Sequence, residues 1–202
     1  KAVVVGTNDE WAVGDAGTIV HRTSSGVTLP VSGVTRNLYS IWASGTDLYA
    51  VGEAGTILHM SGGTWTAEPS GVATDLYDVT SSGGDVVAVG ARGVILRRVG
   101  TAWTRDPIPT TVALRSITVA PGGELYGVGD VATVVHYSAG TWTVTADAAL
   151  SRSDFNSIAI PSGGTPIYIT TTRGEIFRLS GGTYTPLYQS TLRMRGIAAT
   201  PF

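Results

Sequence analysis

One phrase is written five times along this chain. It reads WAVGDAGTIVH at Trp11–His21, LYAVGEAGTILH at Leu48–His59, VVAVGARGVILR at Val86–Arg97, LYGVGDVATVVH at Leu125–His136 and IYITTTRGEIFR at Ile167–Arg178, a spacing of 38 to 42 residues in a chain of 202. Self-similarity at a period of this size marks solenoids, propellers and arrays, because each copy is one unit that cannot bury its apolar face alone. The copies fall at 1–37, 38–75, 76–113, 114–154 and 155–193, with a remainder at 194–202 and no linker between them. The chain therefore reads as one domain, 1–202.

Each copy breaks into four short strands. In the second, Leu38–Ser44 is strand a, Leu48–Gly52 strand b, Thr56–His59 strand c and Thr64–Glu68 strand d. These runs are β-branched and aromatic, and Gly, Asp and Ser interrupt them, as expected of antiparallel strands. No stretch holds a helical period. The b–c connection is Gly-x-x-Gly at Gly14–Gly17, Gly52–Gly55 and Gly90–Gly93; tolerance of positive φ is the expected reason for glycine in so tight a turn. Strands such as YAV and TIL carry apolar groups on both faces, so each sheet must pack between two others, about 10 Å apart. The strand-d aromatics, Trp65, Trp103, Trp142 and Tyr184, are expected on the neighbouring blade or on their own strand c, with roughly 2–3 kcal/mol from burial. Val27 stands at that position in the first copy, and Thr171 replaces the anchor glycine in the fifth.

The fold class expected is all-β, a propeller of about five four-stranded antiparallel blades. Met194–Ala199 matches Leu38–Ala43 as a further strand a, so five b–c–d sets are accompanied by six a segments. In one reading the C-terminal segment closes the ring by pairing with Glu10–Gly14 and hides an otherwise open edge. Lys1–Val5 is then surplus or competes for the same slot, and the protein is a monomer. In the other, Lys1–Val5 is the first strand a and Met194–Phe202 begins a sixth blade, so that the chain belongs to a larger or self-assembling ring. A linear solenoid has the same period.

Composition narrows the function classes. The net charge is −2, Lys1 is the only lysine and no basic stripe is present, which argues against nucleic acid as partner. Without cysteine there is no disulfide, thiolate metal site or cysteine nucleophile. No apolar run approaches the ~20 residues of a membrane helix, so no membrane insertion is expected. His21, His59 and His136 share one repeat position with Arg97 and Arg178. Equivalent positions on adjacent blades lie about 10 Å apart, too far for one ion with ligands at ~2 Å. The expected role is a polar tip packed near the strand-d aromatic, with no metal and no cofactor. Asp15, Glu53 and Asp130 recur in the b–c turns, where acids are ordinary. No nucleophile, metal or phosphate-loop spacing occurs, and no catalytic residue is assigned.

The phrase WAVGDAGTIVH, followed by GTW at Gly63–Trp65 and Gly140–Trp142, resembles a family of bacterial propeller repeats that look related to photosystem II assembly-factor and BNR-type propellers. The resemblance implies a secreted or cell-envelope setting and protein binding rather than catalysis. The aspartate of the sialidase-type box is absent from Ser61–Trp65, Gly100–Trp103 and Ser138–Trp142, which leaves a glycosidase-like enzyme as the least favoured alternative.

Residues that break a repeat are the place to look for function, since packing explains only what the copies share. Along strand a the equivalent positions are Tyr39, Tyr77, Arg115, Asn156 and Arg195, a set suited to a polar or anionic ligand at the mouth of a central channel. Trp42 is a second departure, its counterparts being Val4, Thr80, Thr118, Ala159 and Ala198. The reading that follows is a non-catalytic binding scaffold with a protein or glycan partner. A lectin is the alternative, and exposed strand-d tryptophans would favour it.

Overall fold

Apolar strands are covered on both faces in the middle of the molecule, where Leu48–Gly52 and Val86–Gly90 are buried without a break. The computed structural model describes residues 2–6, 9–44 and 47–198, and these form twenty strands in five separate four-stranded antiparallel sheets. The first blade is β1 (Ala2–Gly6), β2 (Asp9–Val13), β3 (Ile19–Thr23) and β4 (Gly26–Thr28). The second is β5 (Leu38–Ser44), β6 (Asp47–Gly52), β7 (Ile57–Ser61) and β8 (Thr64–Ala67). The third is β9 (Leu76–Ser82), β10 (Asp85–Gly90), β11 (Ile95–Val99) and β12 (Ala102–Arg105). The fourth is β13 (Leu114–Val119), β14 (Leu125–Gly129), β15 (Thr133–Ser138) and β16 (Thr141–Ala146). The fifth is β17 (Phe155–Ala159), β18 (Ile167–Thr171), β19 (Glu175–Ser180) and β20 (Thr183–Gln189). Strands run in chain order within every sheet, and the inner strands β1, β5, β9, β13 and β17 pack side by side in succession. This is a five-bladed β-propeller.

The core is divided into layers between blades. Trp11, Val13 and Ile19 of the first blade meet Ile41, Leu48, Ala50, Leu58 and Trp65 of the second. The opposite face of the second blade, Tyr49, Val51 and Ile57, meets Val79, Val86, Ala88, Leu96 and Trp103 of the third. The strand-d tryptophans reach back onto the preceding blade: Trp65 lies edge-on to Trp11 at 5.8 Å and Trp103 edge-on to Tyr49 at 6.2 Å. Each is less than a tenth exposed.

The inner strand of the first blade comes from the N-terminus. β1 pairs with β2 from Ala2↔Val13 to Gly6↔Asp9, so the expectation that Met194–Ala199 pairs with Glu10–Gly14 is corrected. The segment through Ala198 is not a strand, and Ala199 lies outside the described residues. It runs instead beside the fifth blade: Ile197 N–H donates to Ser157 Oγ at 3.2 Å, and Asn156 Nδ2 to Met194 O. The Ile197 contact reproduces that of Ile117 N–H with Asp78 in the third and fourth blades. The segment thus occupies the place of a next inner strand, and among the described residues no comparable packing joins β17 to β1. The slot beside β2 was already filled by a local hairpin, which closes at far less entropic cost than a pairing across the whole chain.

The b–c turns also differ from expectation. Gly14, Gly52 and Gly90 are extended, at φ −158°, −170° and −166°. Glycine is required at Gly52 and Gly90 by close approach: a Cβ would lie 2.1 Å from the carbonyl oxygen of Asn37 or Asp75. The left-handed conformation falls two and three residues later: on Ala16, Ala54, Arg92 and Val131, and then, as expected, on the second glycine of each pair, Gly17, Gly55 and Gly93, at φ 70°, 75° and 65°.

Candidate functional site

Chain direction gives the propeller two rims. The b–c turns and the connections from strand d to the next strand a lie on one; the a–b and c–d hairpins lie on the other. Tyr39, Tyr77, Arg115 and Asn156 are the second residues of β5, β9, β13 and β17, which places them all on the first rim. In each blade the ladder skips this residue: Leu38↔Gly52 is followed by Ser40↔Val51, Leu76↔Gly90 by Asp78↔Val89, Leu114↔Gly129 by Ser116↔Val128, and Phe155↔Thr171 by Ser157↔Thr170. The candidate residues are therefore the extra residues of four successive β-bulges. A bulge frees its residue from pairing and re-aims the side chain.

Three of them touch. The Tyr39 and Tyr77 rings are 6.0 Å apart, and the Arg115 guanidinium lies 4.7 Å from the Tyr77 ring centre. Arg115 donates through Nε and Nη2 to the two oxygens of Asp130, at 2.8 and 2.9 Å. That pair lifts the guanidinium above its ordinary pKa and holds it flat beside the tyrosine. Burial raises the Tyr39 phenol, and the charges of Asp75 and Glu53 raise it further. Asn156 continues the row but is occupied, accepting from Thr170 Oγ1 at 2.8 Å and donating to Met194 O. Arg195 is exposed on the terminal segment. Trp42 is not part of this group: it sits near the far end of β5, on the other rim, 6.3 Å from Tyr49.

Directly after Tyr77 comes a residue the sequence reasoning missed. Asp78 accepts from Ser40 Oγ at 2.7 Å, Ser116 Oγ at 2.9 Å, Ile117 N–H at 2.9 Å and its own Val79 N–H at 2.9 Å. One carboxylate thus clasps three inner strands beneath the row. Burial pushes this carboxyl above the usual range against the pull of those four donors. The available signal was that Asp78 is an acid where the equivalent positions are Ser40, Ser116 and Ser157. A cleft of about 690 Å³ lies on the same rim, bordered by Val34–Arg36, Ala54–Ile57 and Glu68–Ala73.

The histidines are committed elsewhere. His21 stacks on Trp11 at 3.7 Å and meets Asp9 at 2.6 Å; His59 stacks on Tyr49 at 4.3 Å and meets Glu68 at 3.1 Å; His136 stacks on Tyr126 at 4.1 Å and meets Glu124 at 3.2 Å. Their partner is the strand-b aromatic, not the strand-d aromatic. The side chains of Asp75 and Asp154, which precede strand a, accept from Ala54 and Val131 N–H at 2.9 and 3.0 Å and so brace the left-handed turns of the preceding blade.

Solved structures share this architecture. A structure of YCF48 bound to D1 peptide superposes with a TM-score of 0.70 over 95% of this chain and 68% of its own, at 16% identity. YCF48 from Cyanidioschyzon merolae gives 0.67 over 92% and 70%, at 13% identity. Likeness at this identity establishes the fold. No family model and no curated protein matches the chain.

Proposed function

We propose that the protein is a non-catalytic polypeptide-binding scaffold whose contact face is the rim carrying Tyr39, Tyr77 and Arg115. The observation that carries this is the coincidence of repeat-breaking residues with four consecutive bulges. The bulge is shared by four blades, and what differs between them is the side chain it projects onto the rim. Two half-buried phenol rings offer apolar area with a polar edge, and the Asp130-held guanidinium offers a planar donor to a carboxylate or carbonyl. That a structurally similar propeller was solved with a peptide bound adds support. The strand-d lectin reading loses its platform, because Trp65, Trp103 and Trp142 are only 7–9% exposed. Resemblance of the repeats supports an extracellular or cell-envelope setting, which fractionation of the native cells would test.

A tiled peptide library screened against the protein, followed by titration of the best binder, tests the proposal. Tyr77→Ala and Arg115→Ala are each expected to weaken binding at least tenfold while the thermal midpoint stays within a few degrees. Full affinity in both variants would overturn it.

A further inference from the structure

We infer a second, independent site on the opposite rim: a cleft between blades two and three that takes a neutral pyranose sugar against Trp42. The cleft measures about 450 Å³, within the range of about 300–1,000 Å³ typical of small-molecule sites. Its wall is the half-buried Trp42, which leans on the Tyr49 ring at a tilt of 35°, Tyr49 itself being only 3% exposed. Asp47 and Asp85 stand in it as acceptors, their side chains 63% and 48% exposed. Arg98 is the donor. Its Nε and Nη2 are bound to Glu68 at 3.0 and 2.8 Å, and its guanidinium is held 5.4 Å from the Tyr49 ring centre, so Nη1 remains to serve a ligand. Ser81 and Gly100 complete the lining.

Three features select the ligand class. A flat ring wall binds the C–H face of a sugar, while carboxylates and a guanidinium at its edge accept from and donate to hydroxyls; the cleft has both. A cationic ligand would also fit the tryptophan and the acids, but Asp85 is paired with Arg97 at 3.2 Å and the Arg98–Glu68 pair is neutral, so Asp47 is the one carboxylate of the lining left to attract it. Behind the Tyr49 ring His59 stacks at 4.3 Å with its Nε2 3.6 Å from Asp47 Oδ1, a contact that steadies the Asp47 carboxylate at the cleft's edge as an acceptor. Blade two alone has the platform, the equivalents of Trp42 being Val4, Thr80, Thr118, Ala159 and Ala198.

Saturation-transfer NMR with the methyl glycosides of glucose, galactose, mannose and N-acetylglucosamine, each titrated into the tens of millimolar, provides the test. At least one glycoside is expected to saturate the wild type. Trp42→Ala is expected to weaken it at least tenfold, Trp42→Phe to retain most of the affinity and so control for folding, and Tyr77→Ala on the other rim to leave it unchanged. The inference is overturned if no glycoside saturates, if Trp42→Ala binds as well as the wild type, or if n-butylammonium binds at Trp42 in their place. Because Tyr77→Ala reports on the peptide-binding rim alone, the two proposals fail separately.

Discussion

Trp65 exposes a rule of the repeat through its exception. Trp103 Nε1 donates to Glu68 at 2.6 Å and Trp142 Nε1 to Asp106 at 2.9 Å. Each acid stands three residues after the strand-d aromatic position of the preceding blade. In the first blade that place is taken by Pro30, and Trp65 Nε1 is buried with no partner. Proline also lacks the N–H that Glu68 and Asp106 donate to Ile57 O and Ile95 O. Pro30→Glu restores both bonds, worth about 1 kcal/mol each, against up to ~1 kcal/mol lost as the unfolded chain gains freedom. A net gain of about 1 kcal/mol should appear as a higher urea midpoint at unchanged slope. Glu68 itself is the busiest of these acids. Burial alone would raise its pKa, but the hydrogen bonds from Arg98 and Trp103 and the Arg98 charge outweigh that and hold it below the ordinary carboxylate value. Its contribution is therefore present above about pH 4.3 and lost as pH falls through the folded value. Asp78 has the opposite sign: with its folded pKa raised, its contribution is complete below about pH 3.9 and lost as pH rises through the folded value. Glu68→Ala should cost about 3 kcal/mol, since it strands the Arg98 guanidinium. Its stability should also fall less steeply than the wild type's when measured by denaturant unfolding at successively lower pH.

Among elements, strands were the legible part. Every one of the five b–c hairpins is found where the repeated phrase stands, because its short apolar runs demand two covered faces and its turn residues fix where the chain reverses. What lay beyond reading was whatever depends on a partner. The bulges at Tyr39, Tyr77, Arg115 and Asn156 exist only in the ladder with strand b, so alignment of the copies lined these residues up without revealing why they project. It also placed Trp42 with them, since equivalence between copies does not say at which end of a strand a residue sits. The positive φ expected of the turn glycines holds at Gly55, φ 75°, but Gly52 serves a close approach instead, and Ala54 takes φ 51°. Comparing two substitutions separates the mechanisms. Gly52→Ala sets a methyl group 2.1 Å from a backbone oxygen and should cost about 3 kcal/mol or more. Gly62→Ala meets nothing within 4 Å and pays only for φ +60°, about 1 kcal/mol. Thermal unfolding of the pair would show the ordering, and equal losses would reject it.

For the molecule as a whole, the first and fifth blades depart from the middle three. The face of blade one turned away from blade two carries the Glu10–Arg22 ion pair at 2.7 Å and an exposed Val27, where later blades place Leu48 with Met60 and Trp65, or Val86 with Arg98 and Trp103. Blade five carries Tyr168, Thr170 and Ile176 on the face away from blade four, and the terminal segment is pinned to the blade's inner strand through Asn156 and Ser157. Both proposed sites depend on the blade order, because the row on one rim and the cleft on the other are each assembled from consecutive blades. Native-state amide exchange across the seam tests that order. The amides of Ala2–Gly6 should be protected together with those of β2, while those of Met194–Ala198 exchange quickly apart from Ile197, which is bonded to Ser157. Strand-like protection across Met194–Ala198 with rapid exchange in Ala2–Gly6 would show that the C-terminus supplies the first blade, contrary to the arrangement described.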